Sequence, residues 1–241
     1  MIDRVYEKFE DRSDALNRLL DITPSGEFQR NGTILLATSA GGLFLANEIA
    51  RRFNLRLDFL FCESIFAPKN SECEVAIVSE SMDIAINDAL VESFGISYDF
   101  IYGEAKRRYD EKILVDIYKH RKGEIISALD KSNVILVDDG VESGLKMSVA
   151  IKTCKKKMCS TIRILTPVIA QSTLQQLKVR VDNIFCVYAP KHFVTTEYYY
   201  KRFEAADFAF ANLKNANLKN ENLKNDTILK NERKENGNKI K

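Results

Sequence analysis

Two histidines and five cysteines (Cys62, Cys73, Cys154, Cys159, Cys186) with no CxxC pair leave too few ligands at metal-binding spacing for a structural zinc site. The odd cysteine count also argues against a disulfide framework, so reduced thiols are expected. The opening MIDRVYEKFEDRSD is charged with no apolar block behind it, and nowhere do about 18 apolar residues run together. Neither export nor a membrane span is indicated, and a cytoplasmic protein is expected. A net charge of +2 offers no surface-wide attraction for a polyanion. Even that excess is local: residues 211–241 hold eight Lys/Arg against four Asp/Glu, while residues 1–210 hold 28 against 30. No nucleic-acid partner is expected of such a body.

What the chain does have is 45% apolar residues over 241 positions, enough for one large domain. From residue 33 onward, β-rich runs alternate with helical patterns. TILLAT (33–38), LDFLF (57–61), EVAIV (74–78), VILV (134–137), TIRILTPVI (161–169) and IFCVY (184–188) read as strands. Helices are expected at 43–53, at 87–95 with Asn87 as N-cap, across 98–121, at 145–158 and around 172–178. In the 145–158 helix, Met147, Ala150, Ile151, Cys154 and Met158 form the apolar stripe, and Lys152, Lys155, Lys156 and Lys157 face water. Such alternation predicts an α/β fold with a doubly wound, mainly parallel sheet. A domain over 1–210 is followed by a low-complexity Asn/Lys-rich tail over 211–241. The tail's ANLKN-ANLKN-ENLKN repeat is too short to stack into a β-helix.

The stretch VILVDDGVESGLKM (134–147) carries the chemistry. An apolar strand runs into Asp138-Asp139, then through a loop with two glycines into a helix. Ligands of open parallel sheets sit at the carboxyl ends of the strands, where this loop falls. Backbone N–H groups at a helix N-terminus suit a phosphate, and Ser143 adds a hydroxyl. Adjacent carboxylates suit a vicinal diol, and also the Mg²⁺ that accompanies a pyrophosphate. By itself the strand with its acid pair is also open to other readings, including a phosphatase or a nucleotide-binding α/β protein.

The complete string resembles the phosphoribosyl pyrophosphate (PRPP) signature of type I phosphoribosyltransferases. The resemblance runs from about Phe9 to Phe203 and is closest to bacterial phosphoribosyltransferases that begin F-x-D-R. FEDR (9–12), LLATSAGGLFLANEIA, FAPKNSE (66–72), PKHF (190–193) and YYYKRF (198–203) match that group in order. It implies a type I phosphoribosyltransferase fold with a small hood from Tyr188 to Phe203, and transfer of phosphoribose from PRPP to a nitrogen nucleophile such as a nucleobase, with Mg²⁺. It further implies a PRPP loop of Asp138, Asp139, Gly140, Val141, Glu142, Ser143, Gly144, Leu145 and Lys146, with Asp138 and Asp139 on the ribose hydroxyls and the metal. Ser39, Ala40, Gly41 and Gly42 would bind pyrophosphate, Phe193 would stack on the base, and Glu142 would serve as general base. Type I relatives are often dimers, which makes a homodimer the analogy and leaves the oligomeric state open.

The chain departs from this pattern at the cations. Ala40 stands where the group has Arg before Gly-Gly, and Glu63-Ser64 where it has Arg-Lys. Charge-assisted contacts of this kind contribute ~1.5–3 kcal/mol each, so their loss slows catalysis unless Lys69, Lys106, Arg107 or Arg108 substitutes. Lys146 replaces a common Thr, and Glu142 an Ala. A phosphoribosyltransferase is therefore the first expectation, and the alternative is a catalytically weakened relative that binds PRPP or a nucleotide as a sensor.

Overall fold

The structure, a computed structural model, describes residues 7–204; the expected tail and its five-residue repeat lie outside the described residues. Five strands form a parallel sheet: β1 (Thr33–Ala37), β2 (Arg56–Phe59), β6 (Asn133–Val137), β7 (Thr161–Val168) and β8 (Asn183–Tyr188), in the order β2-β1-β6-β7-β8. Ala37 is in register with Val137, and Val137 with Leu165, so β1, β6 and β7 present their carboxyl ends at one level. Numbered within the sheet, this is the order 2-1-3-4-5 of doubly wound folds, with its switch point between β1 and β6.

Alternation along the strands assigns the two faces. Leu35, Ala37, Ile135, Val137 and Leu165 pack with α1 (Arg12–Ile22) and α2 (Ala40–Phe53), through Leu16, Leu19, Ala46 and Ile49. Ile34, Leu36, Val134, Leu136 and Ile164 face the other way, onto Met147, Ala150 and Ile151 of α6 (Leu145–Lys156) and Leu177 of α7 (Gln171–Lys178). Apolar residues on both faces explain why β1 is an uninterrupted run rather than an alternation.

A second, antiparallel sheet joins β3 (Cys62–Ala67), β4 (Asn70–Ser79) and β5 (Ile84–Ile86). Within FAPKNSE (66–72), Pro68-Lys69 is the hairpin turn between β3 and β4, with Lys69 at φ 65°. Strand β3 escapes the pattern because CESIFA alternates poorly and its register shifts at Ile65–Ala67. Helix α3 (Asp88–Ser93) has Asn87 as its N-cap, accepting from Leu90 N. The expected helix over 98–121 is α4 (Tyr98–Arg108), a π turn and α5 (Leu114–Arg121), ended by Lys122 and Gly123 at positive φ.

One core assignment is corrected. Met158 is 72% exposed rather than buried. It is the left-handed residue (φ 58°) of a Schellman cap, in which Cys159 N donates to Cys154 O (3.2 Å) and Met158 N to Lys155 O (3.0 Å), so its side chain leaves the helical stripe.

Candidate active site

At the switch point, the loop after β6 and the start of α2 meet. Asp138 Oδ2 accepts from Thr38 Oγ1 (2.8 Å), and Oδ1 accepts from the Ser39 hydroxyl and from Asp139 N (2.9 Å). Asp139 Oδ2 accepts from Arg12 Nε at 2.8 Å. The two carboxylates, expected at a solvent-facing strand end, are instead 4% and 7% exposed. The physical reason is that β1 ends beside β6, so the Thr38-Ser39 hydroxyls close over one acid and Arg12 over the other. Burial, and then the neighbouring Asp138 charge, push the Asp139 pKa up to about 6, while Arg12 opposes the shift.

Beyond the acids the loop is tied to the end of β7: Val141 N donates to Val168 O and Ala170 N to Val141 O, both at 2.9 Å. Gly144 then adopts φ 72° as the N-cap of α6, a conformation that disfavours any side chain, and a Cβ there would also strike Thr173. The Ser143 hydroxyl accepts from Leu145 N at 3.3 Å. The first turn of α6 therefore faces the loop with its amides and the positive end of its dipole.

These elements border an open cleft of about 230 Å³, lined by residues 138–144, Lys146 and Met147, with Ser39, Glu74 and Thr196. That is smaller than the ~300–1,000 Å³ of drug-sized pockets, but the cleft is open to solvent and a polar ligand can extend beyond it. Glu142 stands at its exposed rim. Burial and then the Glu74 charge raise its pKa above the ordinary carboxylate value.

Of the expected PRPP-loop residues, all but Leu145 line the cleft; Leu145 packs on Ile77, Ala85 and Val149. Of the expected pyrophosphate loop only Ser39 does. Ala40, Gly41 and Gly42 form the first turn of α2, and Gly42 N donates to Ser39 Oγ (2.9 Å). Phe193 is half-buried against Tyr199, with ring centroids 5.0 Å apart, and is not among the lining residues. Nor is Lys69, Lys106, Arg107 or Arg108; Arg108 lies 3.9 Å from Glu63 of β3, and among the described residues Lys146 is the one basic side chain lining the cleft. Sequence reasoning misses Glu74 and Thr196, neither of which sits in a motif, and it marks Thr38 only as part of LLATSAGGLFLANEIA and Arg12 only as part of FEDR.

The acid pair fits Mg²⁺ in donor chemistry, since both groups are hard oxygen ligands. Among the described residues no group of three or more metal-binding side chains converges, and the ion usually takes one or two carboxylates plus waters and substrate phosphates.

Comparison with known proteins places the family and the fold. Two Mycobacterium tuberculosis proteins, named provisionally as phosphoribosyl transferases, are 22% identical over 199 residues, covering 81% of this chain. The chain spans 43% of their length. The crystal structure of TT1426 from Thermus thermophilus superposes with a TM-score of 0.65 at 23% identity, covering 87% of this chain and 97% of that one, and so shares the fold. The family model for the phosphoribosyl transferase domain matches residues 6–201, and the chain belongs to that family.

Proposed function

We propose that the cleft binds PRPP with Mg²⁺ and that the protein transfers its phosphoribosyl group to a nitrogen nucleophile of the nucleobase class, releasing pyrophosphate. The observation that carries this reading is the position of the Asp138-Asp139 pair, at the switch point and on the same cleft as the Gly144-capped start of α6. The α6 amides and Lys146 bind the 5′-phosphate, and Asp138 and Asp139 orient the ribose hydroxyls. Glu142, at the rim where the acceptor enters, takes the acceptor's proton. Bound Mg²⁺, held by Asp138 and Asp139, would neutralise pyrophosphate charge. The protein's own part is to orient the sugar and stabilise charge, with no covalent intermediate.

A second reading is favoured by the charge of the lining. Glu74, Asp138, Asp139 and Glu142 face a single lysine, which suits a sensor that binds PRPP or a nucleotide without turnover. Calorimetric titration of Mg²⁺-PRPP, followed by a screen of bases for pyrophosphate release, separates the two. Binding with release supports the enzyme, and binding without release under any base supports the sensor. No binding removes both. Asp138→Asn with Asp139→Asn should abolish binding, and because both acids are buried and bonded it should also lower stability.

A further inference from the structure

The two ends of the described chain meet behind Asp139. Phe9 and Tyr200 form a parallel bridge: Phe9 N donates to Tyr199 O (2.9 Å), Lys201 N to Phe9 O (2.8 Å) and Arg202 N to Glu10 O (2.9 Å). Their rings pack at 5.3 Å and both residues are buried, while Arg202 pairs with Asp11, the N-cap of α1. From this clasp two groups reach the acid. Tyr200 Oη donates to the Asp139 carbonyl at 2.6 Å. Arg12 donates through Nε to the Asp139 carboxylate and through Nη1 to Glu204 O (2.6 Å), with its guanidinium 4.1 Å over the Phe203 ring.

We propose that Arg12 and Tyr200 are positioning residues for Asp139, and that this clasp, rather than the cleft lining alone, sets the sugar-binding end of the site. The inference rests on reading the cleft as a phosphoribosyl site. It gives the FEDR and YYYKRF segments one shared role, because each supplies one side chain to Asp139 and backbone bonds to the other. Arg12 fixes Oδ2 through one nitrogen and holds the returning chain through another, a two-handed role that a lysine's single ammonium fills less well. Tyr200 fixes the backbone at the point where β6 becomes the loop. A carboxylate held at both places presents its remaining edge to the cleft in one orientation, without an ordering cost when ligand arrives.

The test uses the full chain and two probes, ribose 5-phosphate and 2-deoxyribose 5-phosphate, by calorimetry. The wild type should prefer the ribose compound, because the acids accept from its 2-hydroxyl. Arg12→Met should erase that preference by roughly tenfold or more while leaving affinity for the deoxy sugar within about twofold. Arg12→Lys should restore part of it, and Tyr200→Phe should weaken it less. General unfolding would lower both affinities together. A ligand-free measurement runs alongside: amide hydrogen exchange at residues 138–141 should accelerate in Arg12→Met and Tyr200→Phe, with residues 145–150 unchanged. If the wild type binds neither sugar but exchange responds in this way, the phosphoribosyl reading fails and the clasp stands. Unchanged exchange, or an undiminished ribose preference in Arg12→Met, overturns the clasp.

Discussion

Replacing a helical glycine with alanine ordinarily stabilises a protein, by about 0.8–1 kcal/mol in a helix interior. Gly41 and Gly42 of α2 should do the reverse. A Cβ on Gly42 would overlap the Val137 carbonyl and lie 2.8 Å from Asp138 Cα and 3.1 Å from Val137 C, all backbone of β6 and its loop, which no rotamer change relieves. A Cβ on Gly41 would overlap the Asp139 carboxyl group, reaching within 2.6 Å of Oδ1, and that side chain can swing aside if it gives up Arg12. Overpacking costs ~1–3 kcal/mol. After the propensity gain, Gly42→Ala should lose up to about 2 kcal/mol of stability and Gly41→Ala less. The order reverses for function: Gly41→Ala displaces a carboxylate of the site and should weaken Mg²⁺-PRPP binding more. Urea denaturation gives the first ranking and calorimetry the second. Stabilisation of either variant, or an identical binding loss in both, would refute the reasoning that these glycines exist to let α2 close on β6.

Three further outcomes are expected. With its pKa raised from 3.8 to about 6, Asp139 keeps a proton in the folded state that the unfolded chain releases. Its contribution to stability is therefore present below about pH 4 and lost as pH rises through 6; urea midpoints from pH 4 to 7 should fall more steeply in the wild type than in Asp139→Asn, by on the order of 1–3 kcal/mol across the window. Glu80, 4% exposed, accepts from Phe61 N (3.0 Å), Ile126 N (2.9 Å) and Arg121, so Arg121→Met leaves a buried carboxylate without its cation and should cost roughly 3–5 kcal/mol in the same denaturation assay. Phe193→Ala should reduce stability by ~1–3 kcal/mol through lost packing on Tyr199 and change Mg²⁺-PRPP affinity by less than twofold, as read by calorimetry.

The parallel sheet is legible in the sequence because β1, β6 and β7 are buried on both faces and so appear as apolar runs between helical periods. The loop that lines the cleft is marked in the sequence because its acids, glycines and serine are contiguous. What stays hidden depends on contacts across long separations. Arg12 and Asp139 lie 127 residues apart, and no local pattern marks their 2.8 Å pair. Glu74 reads as a polar residue at the start of a strand; its place in the cleft follows from the β3–β4 hairpin, whose uneven alternation and bulge conceal it. Burial of the acid pair escapes the sequence for a related reason: Thr38 reads as the end of one strand and Ser39 as the start of a pyrophosphate loop, and the two become the cover of another strand's end.

The same long-range contacts bear on how the cleft manages its charge. Four carboxylates around one lysine would repel a free polyanion, since two unit charges about 5 Å apart interact by ~3 kcal/mol even at an effective dielectric of about 20. The structure moderates this in two places. Arg12 offsets Asp139 from outside the lining, and three hydrogen bonds absorb Asp138. Glu74 and Glu142 share the rim instead, where burial and the Glu74 charge raise the proton affinity of Glu142. The acid-pair end of the cleft is thus prepared for a ligand that donates hydrogen bonds and arrives with its own cation, and the rim for one that gives up a proton. On the proposed reading, a phosphorylated sugar with bound metal and an N–H acceptor would meet both demands, whereas a bare anion would meet neither.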